Sequence, residues 1–176
     1  MEISIVDGFT LNPGDLNWDK IAELGELKID DRTKPEELIE RCRNSEIILT
    51  NKVPIDAEAI NNLPNLKYIG VTATGYNIID IEAAKERGVV VTNVPGYSTE
   101  SVVQLTFALL TELCHRVQMH SDAVSSGKWS SSLDFSFWDY PLIELSGKTM
   151  GVIGFGGIGQ RVADVAEAFG MKVIAH

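Results

Sequence analysis

Six residues, Gly154-Phe155-Gly156-Gly157-Ile158-Gly159, constrain what this chain can fold into more than any other feature. They match G-x-G-x-x-G. A strand-like run, Thr149–Ile153, precedes them, and a pattern placing Ile158, Val162, Val165, Ala166 and Phe169 on one helical face follows. That context separates the motif from a chance cluster of glycines. A strand that hands over to a helix this abruptly needs Gly154 for the tight turn, Gly156 where the backbone approaches a ligand, and Gly159 where helix and strand pack closely. The helix N-terminus then presents N–H groups without intrahelical acceptors, which suits a pyrophosphate. Gly170 ends the predicted helix and Lys172–Ala175 opens a second strand, so this stretch reads as a β–α–β unit.

Upstream, Glu2–Val6, Glu46–Leu49, Leu66–Gly70 and Val89–Thr92 are short apolar runs bounded by polar residues and read as strands, with Glu26–Ile29 a further candidate. Helical segments alternate with them. Thr33 and Glu36 have capping-box spacing, with Pro35 in the first turn. Asp56 is placed to cap Ala57–Asn62, which Pro64 ends. Asp80 is placed to cap Ile81–Arg87, with Gly88 in the left-handed position after it. Such alternation predicts a parallel sheet covered on both faces.

The pattern changes after Val94-Pro95-Gly96. Ser98 or Thr99 opens a helical stretch predicted to run to about Ser125. Val103, Phe107, Leu110, Cys114 and Val117 form one stripe. Val102, Leu105, Leu109 and Leu113 widen it, which predicts a helix buried on more than one side, between two domains or two subunits. Gly127–Leu145 is loop-rich and carries Trp129, Phe135, Phe137, Trp138 and Tyr140, aromatic area that needs a neighbouring domain or subunit as much as its own.

Charge narrows the partners. Acidic residues number 25 against 15 basic, a formal net charge of −10, which disfavours nucleic acid and an anionic membrane surface. The apolar runs are too short to span a bilayer and no basic-then-apolar leader opens the chain, so a cytoplasmic location is the default expectation. Cys42 and Cys114 are too few for a disulfide scaffold and lack neighbours at metal-ligand spacing; they read as buried free thiols, and no metal site is expected.

The residues Leu145–Gly159, followed by Ala168-Phe169-Gly170-Met171-Lys172-Val173, resemble the D-isomer-specific 2-hydroxyacid dehydrogenases. Thr72-Ala73-Thr74-Gly75-Tyr76-Asn77-Ile78-Ile79-Asp80 resembles that family's substrate-domain loop. Asn93–Val102 resembles its crossing from substrate domain to nucleotide domain. Trp138 with Pro141-Leu142 is similar to the glycerate dehydrogenase (hydroxypyruvate reductase) branch. The resemblance implies an α/β architecture: a flavodoxin-like substrate domain over residues 1–97, then the first half of a Rossmann dinucleotide-binding domain over 98–176.

The same resemblance implies hydride transfer between NAD or NADP, with NAD favoured, and a small 2-keto or 2-hydroxy acid such as hydroxypyruvate/D-glycerate or glyoxylate/glycolate. Backbone N–H groups of Ala73, Thr74 and Gly75 would bind the substrate carboxylate. Thr74 would also touch the cofactor, together with Gly154, Phe155, Gly156, Gly157, Ile158 and Gly159. Ser98, Thr99 and Ser101 either stand near the nicotinamide or simply cap a helix. Many relatives carry a larger polar or basic residue at the position of Gly157, which offers only its backbone. The family's catalytic arginine, acidic residue and histidine are expected beyond His176, as is the acidic or polar residue that holds the adenosine ribose; His115 and His120 match none of these motifs and read as structural. The alternatives are a non-catalytic dinucleotide-sensing scaffold of the same fold, or a fragment inactive on its own. A homodimer is expected from the two-faced helix and the aromatic segment.

Overall fold

The structure, a computed structural model, describes residues Met1–His176. The chain divides into two compact units, Met1–Pro95 and Gly96–His176.

In the first unit β1 (Glu2–Ile5), β2 (Glu26–Ile29), β3 (Ile47–Thr50), β4 (Tyr68–Val71) and β5 (Val90–Thr92) form a five-stranded sheet in the order β2-β1-β3-β4-β5. Every pairing is parallel. This is the flavodoxin-like order, and its parallel strands require cover on both faces. Ile3, Ile5, Ile48, Ile69 and Val71 are accordingly buried. The connections carry short helices: α1 (Gly8–Leu11), α2 (Asp19–Ala22), α3 (Leu38–Arg41) behind a 3-10 turn at Pro35–Glu37, α4 (Ala57–Asn62) and α5 (Ile81–Glu86). Leu38, Ala59, Ile60, Ala83 and Ala84 turn inward to complete the core.

The two predicted aspartate caps form. Asp56 accepts from the Ala59 N–H and Asp80 from the Ala83 N–H, each at 2.9 Å. Gly88 has φ +69°, the left-handed conformation that ends α5. The capping box expected at Thr33 and Glu36 does not form. Lys34, extended at φ −78° and ψ 149°, is the residue before the turn, and no side chain caps it. Pro35 forces this, because a residue preceding proline is driven out of the helical region. The helix boundary moves one residue on, and the Thr33 hydroxyl is left buried without a partner.

In the second unit α6 (Thr99–His115) and α7 (Val117–Ser125) lead to β6 (Thr149–Val152), α8 (Gly157–Ala168) and β7 (Lys172–Ala175), and β6 pairs with β7 in parallel. Val103, Phe107, Val162 and Ala166 make the core of this unit, and the Phe107 and Phe169 rings stack with centroids 5.4 Å apart. The single helix predicted to reach Ser125 is in fact two. Arg116 adopts φ 49° and ψ 52°, which ends α6 and starts α7. A non-glycine residue there is disfavoured by roughly 1–2 kcal/mol, and local bonds offset the strain. The Arg116 N–H reaches the Glu112 carbonyl at 2.7 Å, the Glu112 carboxylate accepts from the Val117 N–H at 3.0 Å, and the Arg116 guanidinium lies 4.8 Å from the Tyr140 ring centroid. The predicted stripe therefore holds for Val103, Phe107 and Cys114, which are buried, and fails at Val117, which lies past the break and is exposed. Val102, Leu105, Leu109 and Leu113 form an exposed apolar face rather than a buried one within this chain.

Both cysteines are free and buried. Burial pushes the Cys42 thiol up to about 11, against the opposing effect of hydrogen bonds with Ser4 and Ser45. Two outcomes follow from this packing. Replacing Asp80 by alanine should cost about 1 kcal/mol in urea unfolding, the usual loss for an N-cap. Ellman's reagent at mildly alkaline pH should leave Cys42 unmodified in the folded protein and modify it after denaturation.

Candidate functional site

Two loops carry the sequence-predicted site residues, one in each unit, and both follow the C-terminal end of a parallel strand, where open α/β sheets bind ligands.

The first loop continues from β4. Thr72 donates to the Thr50 carbonyl twice, from its N–H at 2.9 Å and from its hydroxyl at 3.0 Å. The Ala73 carbonyl accepts from the Val94 N–H at 3.0 Å, and the Thr74 carbonyl accepts from the Asn93 side-chain amide at 2.8 Å. The Thr74 hydroxyl donates to the Val94 carbonyl at 3.1 Å. The N–H groups of Ala73, Thr74 and Gly75 have no acceptor in the chain. The Ala73 and Thr74 carbonyls are tied down and three successive amides are left free, so the loop presents N–H dipoles to whatever approaches. Such a run of N–H groups makes an anion cradle. Ala73 is buried, whereas Thr74 and Gly75 are exposed.

The neighbouring turn after β3 is held from β1. Asp7 is only 3% exposed and forms no ion pair. Both of its carboxylate oxygens lie 3.0 Å from the Asn51 N–H, and one also accepts from the Lys52 N–H at 2.5 Å. Thr50 is fully buried and its hydroxyl donates to the Val53 carbonyl at 2.9 Å. The sequence reading missed Asp7, Thr72 and Asn93. The signal available for Asp7 was an acidic residue directly after a buried strand, where no helix cap uses it.

The second loop joins β6 to α8. Gly154 has φ +89°, and its N–H donates to the His176 carbonyl at 2.8 Å, tying the loop to the end of β7. Gly156 is the extended residue before α8. From Phe155 to Gly159 no N–H finds an acceptor; the first bonded amide is that of Gln160, to the Gly156 carbonyl at 2.9 Å. A Cβ on Gly156 or Gly157 would meet nothing within 4 Å, whereas one on Gly159 would stand 2.2 Å from the Gly154 carbonyl oxygen. Gly159 is thus required by helix–strand packing, and Gly156 and Gly157 keep the approach open. Phe155 and Ile158 are both about half exposed. The nearby cation Arg161 is engaged with Glu100 at 3.0 Å and Asp164 at 3.4 Å. Attraction for an anion therefore comes from the free amides and the dipole of α8. This donor set fits a pyrophosphate.

The other candidates are less engaged. Ser98 precedes α6 without a side-chain cap bond. The His115 and His120 Nδ1 atoms lie 3.3 Å and 3.0 Å from the carbonyls of Thr111 and Arg116, and the His120 Nε2 is buried without a partner.

The chain thus carries a parallel sheet of flavodoxin-like order with acceptor-free amides after β4, and a β–α–β unit whose glycine loop opens α8. Residues 10–169 match the model of the D-isomer specific 2-hydroxyacid dehydrogenase catalytic domain, and the chain belongs to that family. It is 50% identical over 179 residues to a hydroxypyruvate reductase of Blautia hydrogenotrophica, covering 100% of this chain and 56% of that protein. It thus spans about half the length of the curated relatives it matches. Among solved structures, an acyclic imino acid reductase in complex with NADPH and D-Arg superposes with TM-score 0.77 at 32% identity, over 99% of this chain and 55% of that one. A D-lactate dehydrogenase from Aquifex aeolicus complexed with NAD and lactic acid gives TM-score 0.75 at 30% identity, over 99% and 50%.

The glycine geometry makes a paired prediction for thermal or urea unfolding. Gly159→Ala should destabilise by roughly 1–3 kcal/mol, the range for a forced overpacking contact. Gly157→Ala, with open space around it, should stay within about 1 kcal/mol of the parent.

Proposed function

We propose that this chain supplies the substrate-carboxylate cradle and the pyrophosphate loop of an NAD(P)-dependent oxidoreductase acting on a small 2-keto acid, hydroxypyruvate or glyoxylate, and on the corresponding D-glycerate or glycolate in reverse. The observation that carries this reading is the set of acceptor-free amides at Ala73, Thr74 and Gly75, on a loop whose Ala73 and Thr74 carbonyls are already bound. A carboxylate is the complementary ligand for such a set, and membership of the family supports a 2-hydroxy acid as its bearer. The similarity to a hydroxypyruvate reductase favours a short chain with a terminal hydroxyl.

In this reading the loop amides orient the keto acid by its carboxylate, leaving the carbonyl carbon as the free end. Gly154, Phe155, Gly156, Gly157, Ile158 and Gly159 hold the pyrophosphate through backbone N–H groups. A nicotinamide cofactor, when bound, supplies or takes up the hydride. No side chain of these residues is assigned to the proton transfer: His115 and His120 are bound to helix carbonyls, and the buried carboxylate of Asp7 is bound to backbone amides. The roles proposed for Ala73, Thr74 and Gly75 and for Gly154 to Gly159 are confined to binding and orientation.

The exposed face of Val102, Leu105, Leu109 and Leu113, with the exposed Phe135 and Trp138, is the surface we assign to a homodimer contact. Light scattering should give twice the monomer mass at micromolar concentration, and Leu109→Glu should shift it toward monomer.

The activity is tested with the full-length gene product by following NADH and NADPH oxidation with hydroxypyruvate, glyoxylate and pyruvate. Turnover with hydroxypyruvate or glyoxylate is expected; no turnover with any of the three would sink the reading. Gly75→Pro, which deletes one cradle N–H, should raise KM for the keto acid by roughly tenfold, the value of a hydrogen bond to a charged group.

A further inference from the structure

Asp7 is a buried carboxylate that the proposed chemistry does not use. It lies two residues past β1, at the N-cap position of α1, yet its side chain makes no cap bond to that helix. No cation pairs with it, and it is 3% exposed. An ionised group buried in this way is costly unless hydrogen bonds to its charged form replace the lost water. Here the replacement comes from the backbone N–H groups of Asn51 and Lys52, in the turn after β3. One oxygen accepts from both N–H groups and the other shares that of Asn51, so a carboxylate meets donors with both oxygens. An asparagine would keep one acceptor oxygen there, lose the charge and set its amide NH2 against the Asn51 N–H.

The turn that Asp7 holds is next to the cradle. β3 lies between β1 and β4. Thr50 begins the turn, and its carbonyl takes both hydrogens that Thr72 donates. Thr72 is the residue before Ala73. A second tie closes the arrangement: the Asn51 side-chain amide donates to the Thr10 hydroxyl at 3.1 Å, which donates to the Asp7 carbonyl at 2.9 Å. On its other side the cradle is fixed by Asn93 and Val94 after β5. The loop with free amides is therefore clamped between two turns, and Asp7 determines where one of them lies.

We propose that Asp7 is a positioning residue for the substrate carboxylate. Its charge fixes the Thr50–Val53 turn, the turn fixes Thr72, and Thr72 sets the spacing of the Ala73, Thr74 and Gly75 amides. The proposal rests on the reading of those amides as the carboxylate cradle. A displaced cradle weakens binding of the keto acid and leaves binding of the dinucleotide, whose glycine loop belongs to the second unit, as it was.

The test compares three variants of the full-length gene product: Asp7→Asn, Thr72→Val and Gly75→Pro. For each, KM for hydroxypyruvate, the dissociation constant for NADH and the unfolding midpoint are measured. Asp7→Asn should raise the keto-acid KM roughly tenfold with NADH affinity unchanged, the effect of weakening a charge-assisted contact. Thr72→Val keeps the side-chain shape, removes only the hydroxyl bond to Thr50, and should move the same KM in the same direction by a smaller factor. It also serves if Asp7→Asn does not fold. An unchanged keto-acid KM in Asp7→Asn, or in Thr72→Val alone if Asp7→Asn does not fold, with a raised KM in Gly75→Pro, would overturn the role of Asp7 and leave the cradle standing. An unchanged KM in all three variants would remove the cradle reading and the proposal with it. Equal losses of keto-acid and NADH affinity in Asp7→Asn would reduce Asp7 to a general stability residue and overturn the proposal.

Discussion

A parallel strand delivers its chain to the same edge as its neighbours, and the backbone amides just past that edge have lost their ladder partners. Each must find another acceptor or remain available. In the first unit most of them are consumed: the turn after β3 gives its N–H groups to Asp7, and Thr72 gives its own to Thr50. At Ala73, Thr74 and Gly75 the chain provides no acceptor. The second unit repeats the arrangement with a helix in place of a turn, as Phe155 to Gly159 open α8 with bare amides. Both loops thus present hydrogen bonds that the fold leaves unmade, held in place by ones it makes.

Keeping donors free in ordered structure requires rigidity from other sources. Around the cradle it comes from bonded carbonyls and from two buried groups, Asp7 and Thr50, neither of which faces solvent. Around the glycine loop it comes from steric fit, because the Gly154 carbonyl and Gly159 approach so closely that no side chain fits between them. The tether from Gly154 to the His176 carbonyl fixes the loop further, against the end of β7.

Most of the scaffold was legible in the sequence because parallel strands buried on both faces leave short, unbroken apolar runs, and because Asp56, Asp80 and Gly88 mark helix ends by local chemistry alone. The capping box at Thr33 and Glu36 failed because a stronger local rule intervened. Pro35 moved the helix boundary past Thr33. The break at Arg116 carries neither glycine nor proline; it depends on the Glu112 carboxylate reaching Val117, a contact that spacing does not announce. The glycine loop was legible because its requirement is steric and therefore tied to residue type. The clamp around Ala73–Gly75 was not, since Asp7, Thr50 and Asn93 come from separate strand ends and meet only through sheet order.

The proposed recognition by main-chain atoms has a genetic corollary. Every amino acid except proline carries the same N–H, so ordinary codon changes at Ala73, Thr74 or Phe155 leave the recognising atom in place and alter only its surroundings. A survey that truncates side chains one at a time would therefore pass over both loops while flagging the distant residues that brace them. The vulnerability of such a site is displaced into its scaffold, and drift in the contact positions themselves can proceed with binding intact.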